Sequence, residues 1–280
     1  MIEPTATVSV ARWRDADGVY ACYLNVGGRC VLIADEPRRL VDEHFQSIVP
    51  ADSNPALARM THAQLLPDGG AAMAYARAEP GEKNVLVLDC SGAFQTSFAA
   101  GDGINQFLLD GQGRFWAGYF DEGVFSGDPI PSNGLARFSQ DGRLEFGLAE
   151  HLGSAGPDVD DCYALTLDRQ DRAWICAYSN FFLGYVDGQS FHQVMVKAPV
   201  QGARGLLVGE RHVALIGGYK QTGLATVIEL AGLTHRHIQL VTETGASLEV
   251  RRVSCWADMA VCWSAQGVYR FGLNDLVQIG

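Results

Sequence analysis

Two stretches of the chain repeat one another's pattern of apolar and polar positions almost strand for strand. Ile104 to Tyr119 reads INQFLLDGQGRFWAGY, and Cys162 to Ala177 reads CYALTLDRQDRAWICA. In each, a short apolar run ends in an aspartate, Asp110 or Asp168, and a polar three-residue turn follows. An aromatic-rich run then places Trp116 or Trp174 six residues after the aspartate. Two strands around a short polar turn make a hairpin, with turns predicted at Asp110–Gly113 and Asp168–Asp171. Two further strands follow each hairpin: Leu135–Ser139 and Leu144–Phe146 in one, Phe182–Val186 and Phe191–Val196 in the other. Asn84–Leu88 and Phe94–Phe98 make the same pair one unit earlier.

The frame extends along the chain with anchors at Asp15, Pro67, Asp110, Asp168, Val208 and Cys255, spaced 52, 43, 58, 40 and 47 residues apart. A period of roughly 40–50 residues carrying several strands is the signature of propeller blades. In Phe115–Phe120 both alternating faces are apolar or small, as in a strand lying between two other layers. No long stretch shows helical periodicity; Pro37 to His44 is at most one or two helical turns. The expectation is an all-β fold, a six-bladed β-propeller with four antiparallel strands per blade, in one domain over residues 1–280. Leu276–Ile279 is the last strand expected and the first begins near Thr5, with no spare strand visible to join the last blade to the first. Asp121–Asn133 and Glu150–Asp161 are expected as rim loops.

Composition narrows the partners. Apolar residues make up 48% and charged residues 19% of the 280 residues, enough for a sizeable core. The net charge is −11, from 32 acidic and 21 basic side chains, which repels phosphate backbones and argues against nucleic acid. No run approaches the roughly 18 apolar residues needed to span a bilayer, so no membrane partner is expected. The start of the chain lacks a basic segment followed by an apolar one, so no secretory signal is read. Seven scattered cysteines without a CxxC pair fit buried free thiols and a cytoplasmic setting.

In a propeller the first strand of each blade lines the axis, and its entry forms one mouth of the central funnel. Counting five residues back from each anchor gives Val10, His62, Asn105, Tyr163, Ala203 and Val250. One residue further in stand Gln106, Arg204 and Arg251 among small residues. A mixed apolar and polar wall of this kind suits a small molecule. His62, with an unperturbed pKa of about 6.5, is the candidate acid or base, and Tyr163 a proton or hydrogen-bond donor. Asn105 and Gln106 are candidates to hold a carbonyl or hydroxyl, and Arg204 and Arg251 to hold a carboxylate. The alternative is a channel that holds water and no ligand.

The segment Asn105–Gly118 (NQFLLDGQGRFWAG) resembles the gluconolactonase and senescence-marker-protein family of six-bladed propellers. That resemblance implies a divalent metal at the funnel mouth, held by a glutamate, asparagines and an aspartate from different blades. Of those positions only Asn105 keeps its residue type; the others are Val10, Tyr163 and Ala203. One amide oxygen does not hold a hard cation, so no metal and no cofactor are expected. Asp158, Asp160 and Asp161 could gather carboxylates around a cation, or form a solvated acidic loop. His235 and His237 share a face of a strand without an evident third ligand. No GxSxG, HExxH, phosphate-loop or dinucleotide motif occurs. Two functions follow: a small-molecule-binding propeller, extending to a metal-independent hydrolase or cyclase-like enzyme, and a scaffold whose protein partner docks on the rim loops.

Overall fold

The repeated aspartates act as clamps on their hairpins. Asp110 Oδ1 accepts the amides of Gln112 (3.0 Å) and Arg114 (2.9 Å), while Oδ2 accepts Arg114 Nε (2.8 Å) and Trp116 Nε1 (3.2 Å). Asp168 repeats the set with Gln170, Arg172 (amide and Nε) and Trp174 Nε1 at 2.6–3.0 Å. The six-residue spacing follows: positions four and six after the aspartate lie on one side of the returning strand and reach back to the same carboxylate. The fourth turn residue has a left-handed backbone in both hairpins, at Gly113 (φ 78°) and Asp171 (φ 60°). Glycine takes that conformation without cost, and aspartate is among the residues that tolerate it.

The structure is a computed structural model that describes residues 1–15, 19–34, 39–42, 44, 46–48 and 58–278. Strands β1 (Ala6–Ser9) and β2 (Arg12–Arg14) open the chain. Sheet 1 holds β3 (Val19–Leu24), β4 (Cys30–Ala34) and β5 (Arg39–Asp42). Sheet 2 holds β6 (His62–Leu65), β7 (Ala71–Ala74), β8 (Val85–Leu88) and β9 (Phe94–Phe98). Sheet 3 holds β10 (Ile104–Leu109), β11 (Phe115–Tyr119), β12 (Leu135–Phe138) and β13 (Leu144–Gly147), with helix α1 (Asp121–Val124) between β11 and β12. Helix α2 (Leu148–Leu152) precedes sheet 4: β14 (Asp161–Leu167), β15 (Ala173–Tyr178), β16 (Phe182–Asp187) and β17 (Ser190–Met195). Sheet 5 holds β18 (Gly205–Val208), β19 (His212–Ile216), β20 (Leu224–Glu229) and β21 (His235–Val241), and β1 adds to β21 in parallel. Sheet 6 holds β22 (Arg252–Trp256), β23 (Met259–Ser264) and β24 (Gly267–Gly272), with β2 antiparallel on β24. Helix α3 (Leu273–Val277) follows. The fold class is all-β, the six-bladed β-propeller.

Contacts gather the chain into two units. The middle unit is Gly18–Cys162 with Ala177–Ser179; the terminal unit is Met1–Asp17, Tyr163–Cys176 and Asn180–Gly280. In the middle unit β11 is buried on both faces. Phe115 and Tyr119 join Phe98, Phe107 and Phe138 in one core, while Trp116 turns the other way onto Phe146 at 6.1 Å. In the terminal unit one core joins sheets 5 and 6 and takes in Val8 and Val10 from the N-terminal segment.

Several sequence expectations change. The segment around Asp15 is not an inner hairpin, because β2 is the fourth strand of sheet 6. The spare strand that joins first and last parts of the chain therefore exists, and Val10 is a core residue, 2% exposed. The first hairpin turns at Asn25, whose amide bonds Arg29 O (3.0 Å) while Gly28 N bonds Asn25 O (2.9 Å), as at Asp110. The second hairpin turns at Leu66 rather than Pro67, with Leu66 N on Gly70 O at 2.9 Å. His62 thus stands where Gln106 stands in sheet 3, one position on from the Asn105 position.

The end of the chain is helical, not a strand: Leu273 and Leu276, three apart, are buried together, and Asp275 Oδ2 accepts the Gly272 amide at 2.7 Å. Ile279 lies outside the described residues. Within Pro37–His44, Arg39–Asp42 is strand β5, with Leu40 and Val41 fully buried, and Pro37 and Arg38 lie outside the described residues. Sheet 1 has three described strands and sheet 5 has five.

Candidate functional site

In the middle unit the polar residues at the starts of β6 and β10 tie neighbouring strands together. His62 is buried, with Nε2 3.1 Å from the Asn105 carbonyl and Nδ1 2.9 Å from Thr61 Oγ1. A carbonyl only accepts, so Nε2 carries the hydrogen. Gln64 Nε2 donates to Phe107 O at 3.2 Å, and Asn105 Nδ2 donates to Cys162 O at 2.9 Å. Gly118 permits the last approach: a Cβ there would stand 2.5 Å from Cys162 Sγ. Gln106 is half-buried opposite Gly118. Two of the candidate residues, His62 and Asn105, are brought into contact, and the contact is a strand-to-strand tie.

The same unit holds a carboxyl in an unusual state. Asp161, the first residue of β14, is half-buried, and its Oδ1 is shielded with no hydrogen-bond partner among the described residues. Burial, and then the charge of Asp121, raise its pKa to about 7. Asp158 is exposed and the Asp160 amide bonds Tyr178 O at 2.9 Å. Among the described residues no three His, Cys, Asp or Glu side chains are grouped to hold a metal ion. The metal implied by the family resemblance does not fit this donor set: Ala203 is buried and apolar, neither Asn105 nor Tyr163 brings a carboxylate, and Val10 lies in the core of sheets 5 and 6 instead of on a first strand. His235 and His237 sit 5.2 Å apart, with His237 Nδ1 on Thr226 Oγ1 at 2.9 Å and its pKa lowered by burial and by His235.

The remaining candidates lie in the terminal unit. Tyr163 OH is 2.9 Å from Tyr219 OH. Tyr163, Tyr219 and Phe181 form a triangle of rings with every centroid separation 5.9 Å, the Tyr219 ring edge-on to both others. The Tyr219 ring is 53% exposed and lies over Gly202, where a Cβ would come within 2.6 Å of it. Phe181 holds a left-handed backbone (φ 55°), unusual for a bulky residue. On the neighbouring sheets, exposed Arg204 donates from Nη1 to Arg251 O at 3.1 Å, and the exposed Arg251 guanidinium lies 5.6 Å from the centre of the Trp263 ring. Tyr163, Arg204 and Arg251 therefore stand at the starts of sheets 4, 5 and 6.

Sequence reasoning missed Tyr219 and Trp263 because neither is on a first strand. Tyr219 follows β19 and Trp263 is on β23, where counting back from an anchor does not reach. The Gly217-Gly218 pair just before Tyr219 is the signal that the chain turns there.

No family model matches the sequence, and no curated relative is similar to it. Solved structures share the fold at low identity. A gluconolactonase from Xanthomonas campestris superposes with a TM-score of 0.53 at 11% identity, covering 95% of this chain and 87% of that one. Virginiamycin B lyase from Staphylococcus aureus gives 0.54 at 12%, covering 96% and 88%. PQQ-bound aldose sugar dehydrogenase from Streptomyces coelicolor gives 0.53 at 11%, covering 96% and 99%. The chain thus resembles this group of propellers in fold. Among the described residues no helix is long and apolar enough to cross a membrane.

Proposed function

We propose that the chain is a small-molecule-binding propeller whose ligand sits at the starts of sheets 4 to 6 in the terminal unit. The observation that carries this reading is the Tyr163–Tyr219 hydroxyl pair at 2.9 Å beside the exposed Tyr219 ring. One hydroxyl donates to the other, which leaves the acceptor's own hydrogen directed elsewhere. The exposed ring supplies a face for an apolar body, and the hydroxyls a polar tip, as small-molecule sites require. The gluconolactonase and the lyase among the fold neighbours act on small molecules, which supports the same kind of ligand here. The enzymatic form of the reading is a metal-independent hydrolase or cyclase-like reaction with Tyr163 as proton donor. His62 and Asn105 hold the scaffold in this reading, and they do not touch the ligand.

A scaffold that uses the rim loops is the second reading, favoured by Phe125, 70% exposed just after α1, and by a fold neighbour described as YCF48 bound to D1 peptide. A ligand screen by thermal shift on the whole chain separates the two. Hits whose affinity falls at least fivefold in both Tyr163→Phe and Tyr219→Phe, with unchanged melting temperature, are expected. Hits that bind both variants as well as the parent chain would remove the ligand from this site.

A further inference from the structure

We infer that Arg204, Arg251 and Trp263 form an anion subsite that takes the carboxylate or phosphate of a flat organic ligand. The inference rests on the small-molecule reading above and names the ligand's charge. Two guanidiniums stand together, Arg204 Nη1 donating to the Arg251 carbonyl at 3.1 Å, and no described carboxylate lies within ion-pair distance of either. Elsewhere Arg77, Arg114, Arg169 and Arg172 each meet a carboxylate. In a chain of net charge −11, a pair of neighbouring guanidiniums is a local exception to the overall field. Glu249, the nearest acidic residue in sequence, is exposed and forms no described ion pair.

A second, independent observation concerns Trp263. Its Nε1 is shielded from solvent and has no acceptor among the described residues. A shielded donor without a partner has already lost its hydration, so an oxyanion that reached it would find a donor desolvated in advance. The Arg251 guanidinium lies over the same indole, 5.6 Å from its centre, so the cation and the unpartnered N–H belong to one cluster. A guanidinium presents five N–H donors in a planar fork that matches carboxylate and phosphate oxygens, and Arg204 uses one of its five on Arg251 O. The exposed Tyr219 ring in the same unit offers a stacking face for the ligand's body.

The test titrates the full chain with benzoate, phenyl phosphate, inorganic phosphate and neutral benzamide, following the Trp263 indole N–H by NMR with Trp263→Phe to assign it. One or both aromatic anions should shift that signal. Arg204→Gln and Arg251→Gln should each weaken binding at least tenfold, and added salt should weaken it further. A preference for benzoate assigns the source to carboxylates, and one for phenyl phosphate to phosphate esters. Binding of inorganic phosphate alone, without the aromatic probes, would reduce the site to a bare ion site and overturn the inference. Because Arg204 also bonds backbone, Arg204→Lys and Arg251→Lys keep the charge without the fork and should recover only part of the affinity. If benzamide binds through Tyr163 and the anions gain nothing, the subsite falls while the small-molecule reading stands. If the anions bind and Tyr163→Phe leaves every probe unaffected, the small-molecule reading fails at its own residue.

Discussion

The two units place polar side chains at the starts of their first strands and use them differently. In the middle unit His62 and Asn105 are turned onto the backbone of the adjoining strand, His62 with both ring nitrogens engaged. In the terminal unit Arg204 also bonds a neighbouring strand's carbonyl, yet that bond leaves it charged and without a described carboxylate. Donor capacity explains the contrast: two contacts saturate an imidazole, whereas a guanidinium keeps four of its five N–H groups after one. A residue that must both tie strands and face a ligand is therefore better served by arginine than by histidine. The hairpin clamps at the other ends of the strands are alike in both units, so they form a common reference for the comparison.

The largest effect should come from those clamps. Asp110→Ala in the middle unit and Asp168→Ala in the terminal unit each remove a buried carboxylate that accepts two amides, an arginine and a tryptophan. Each should lose about 3–5 kcal/mol in urea denaturation, since the arginine and the indole N–H are left behind. Equal losses would show that the units are clamped alike. A loss confined to one would mean that the likeness of the two hairpins is only geometric.

A smaller loss, about 2 kcal/mol, is expected for His62→Ala, which strands the Asn105 carbonyl, leaves the Thr61 hydroxyl only the Ala74 carbonyl at 3.3 Å, and opens space beside Tyr23. Ligand affinity should be unaffected in any probe that reports on Tyr163. Unchanged melting temperature with lost binding would reverse the contrast drawn between the units and return His62 to the chemistry.

The clamps were legible in the sequence because a carboxylate reaching residues four and six places on imposes a fixed spacing, and Asp110 and Asp168 obey it in full. The first hairpin was not legible in the same way: Asn25 replaces the aspartate, and no tryptophan stands six residues later. β2 misled for a related reason, since an outer strand of sheet 6 with Trp13 and alternating arginines resembles an inner one until its pairing with β24 is seen. The helix at Leu273–Val277 reads as an apolar strand end unless the three-residue spacing of Leu273 and Leu276 is weighed. At the candidate site the first-strand positions of Tyr163, Arg204 and Arg251 follow from register, whereas Tyr219 and Trp263 come from later strands and loops that carry no fixed spacing. Which first-strand residues bond backbone was also beyond the sequence, because it depends on the neighbouring sheet's register.

Asp161 sharpens the comparison at its least stapled point, a polar residue of the middle unit whose Oδ1 meets no described donor. Its pKa is raised to about 7 in the folded chain, by burial first and by Asp121 second, against about 3.9 for an unperturbed aspartate. The folded state therefore binds the extra proton between these values. Its contribution to stability is fully present below about pH 4 and is lost as pH rises through about 7. Three pK units would correspond to about 4 kcal/mol if the group were fully buried, but Asp161 is only half-buried and solvent screening reduces this to about 1–2 kcal/mol. Asp161→Asn removes the ionisation, so the variant should be more stable than the parent by that amount above pH 7, with the gap closing toward pH 4. Subtracting the two denaturation profiles cancels the contributions of groups common to both chains, including Glu82, whose pKa is lowered to about 2 chiefly by Arg59. Asp121→Asn should shrink the gap without abolishing it, because burial is the larger cause. A gap independent of pH would mean that Asp161 is ionised throughout and has found a donor, which would place it with His62 and Asn105 among the tied residues of its unit.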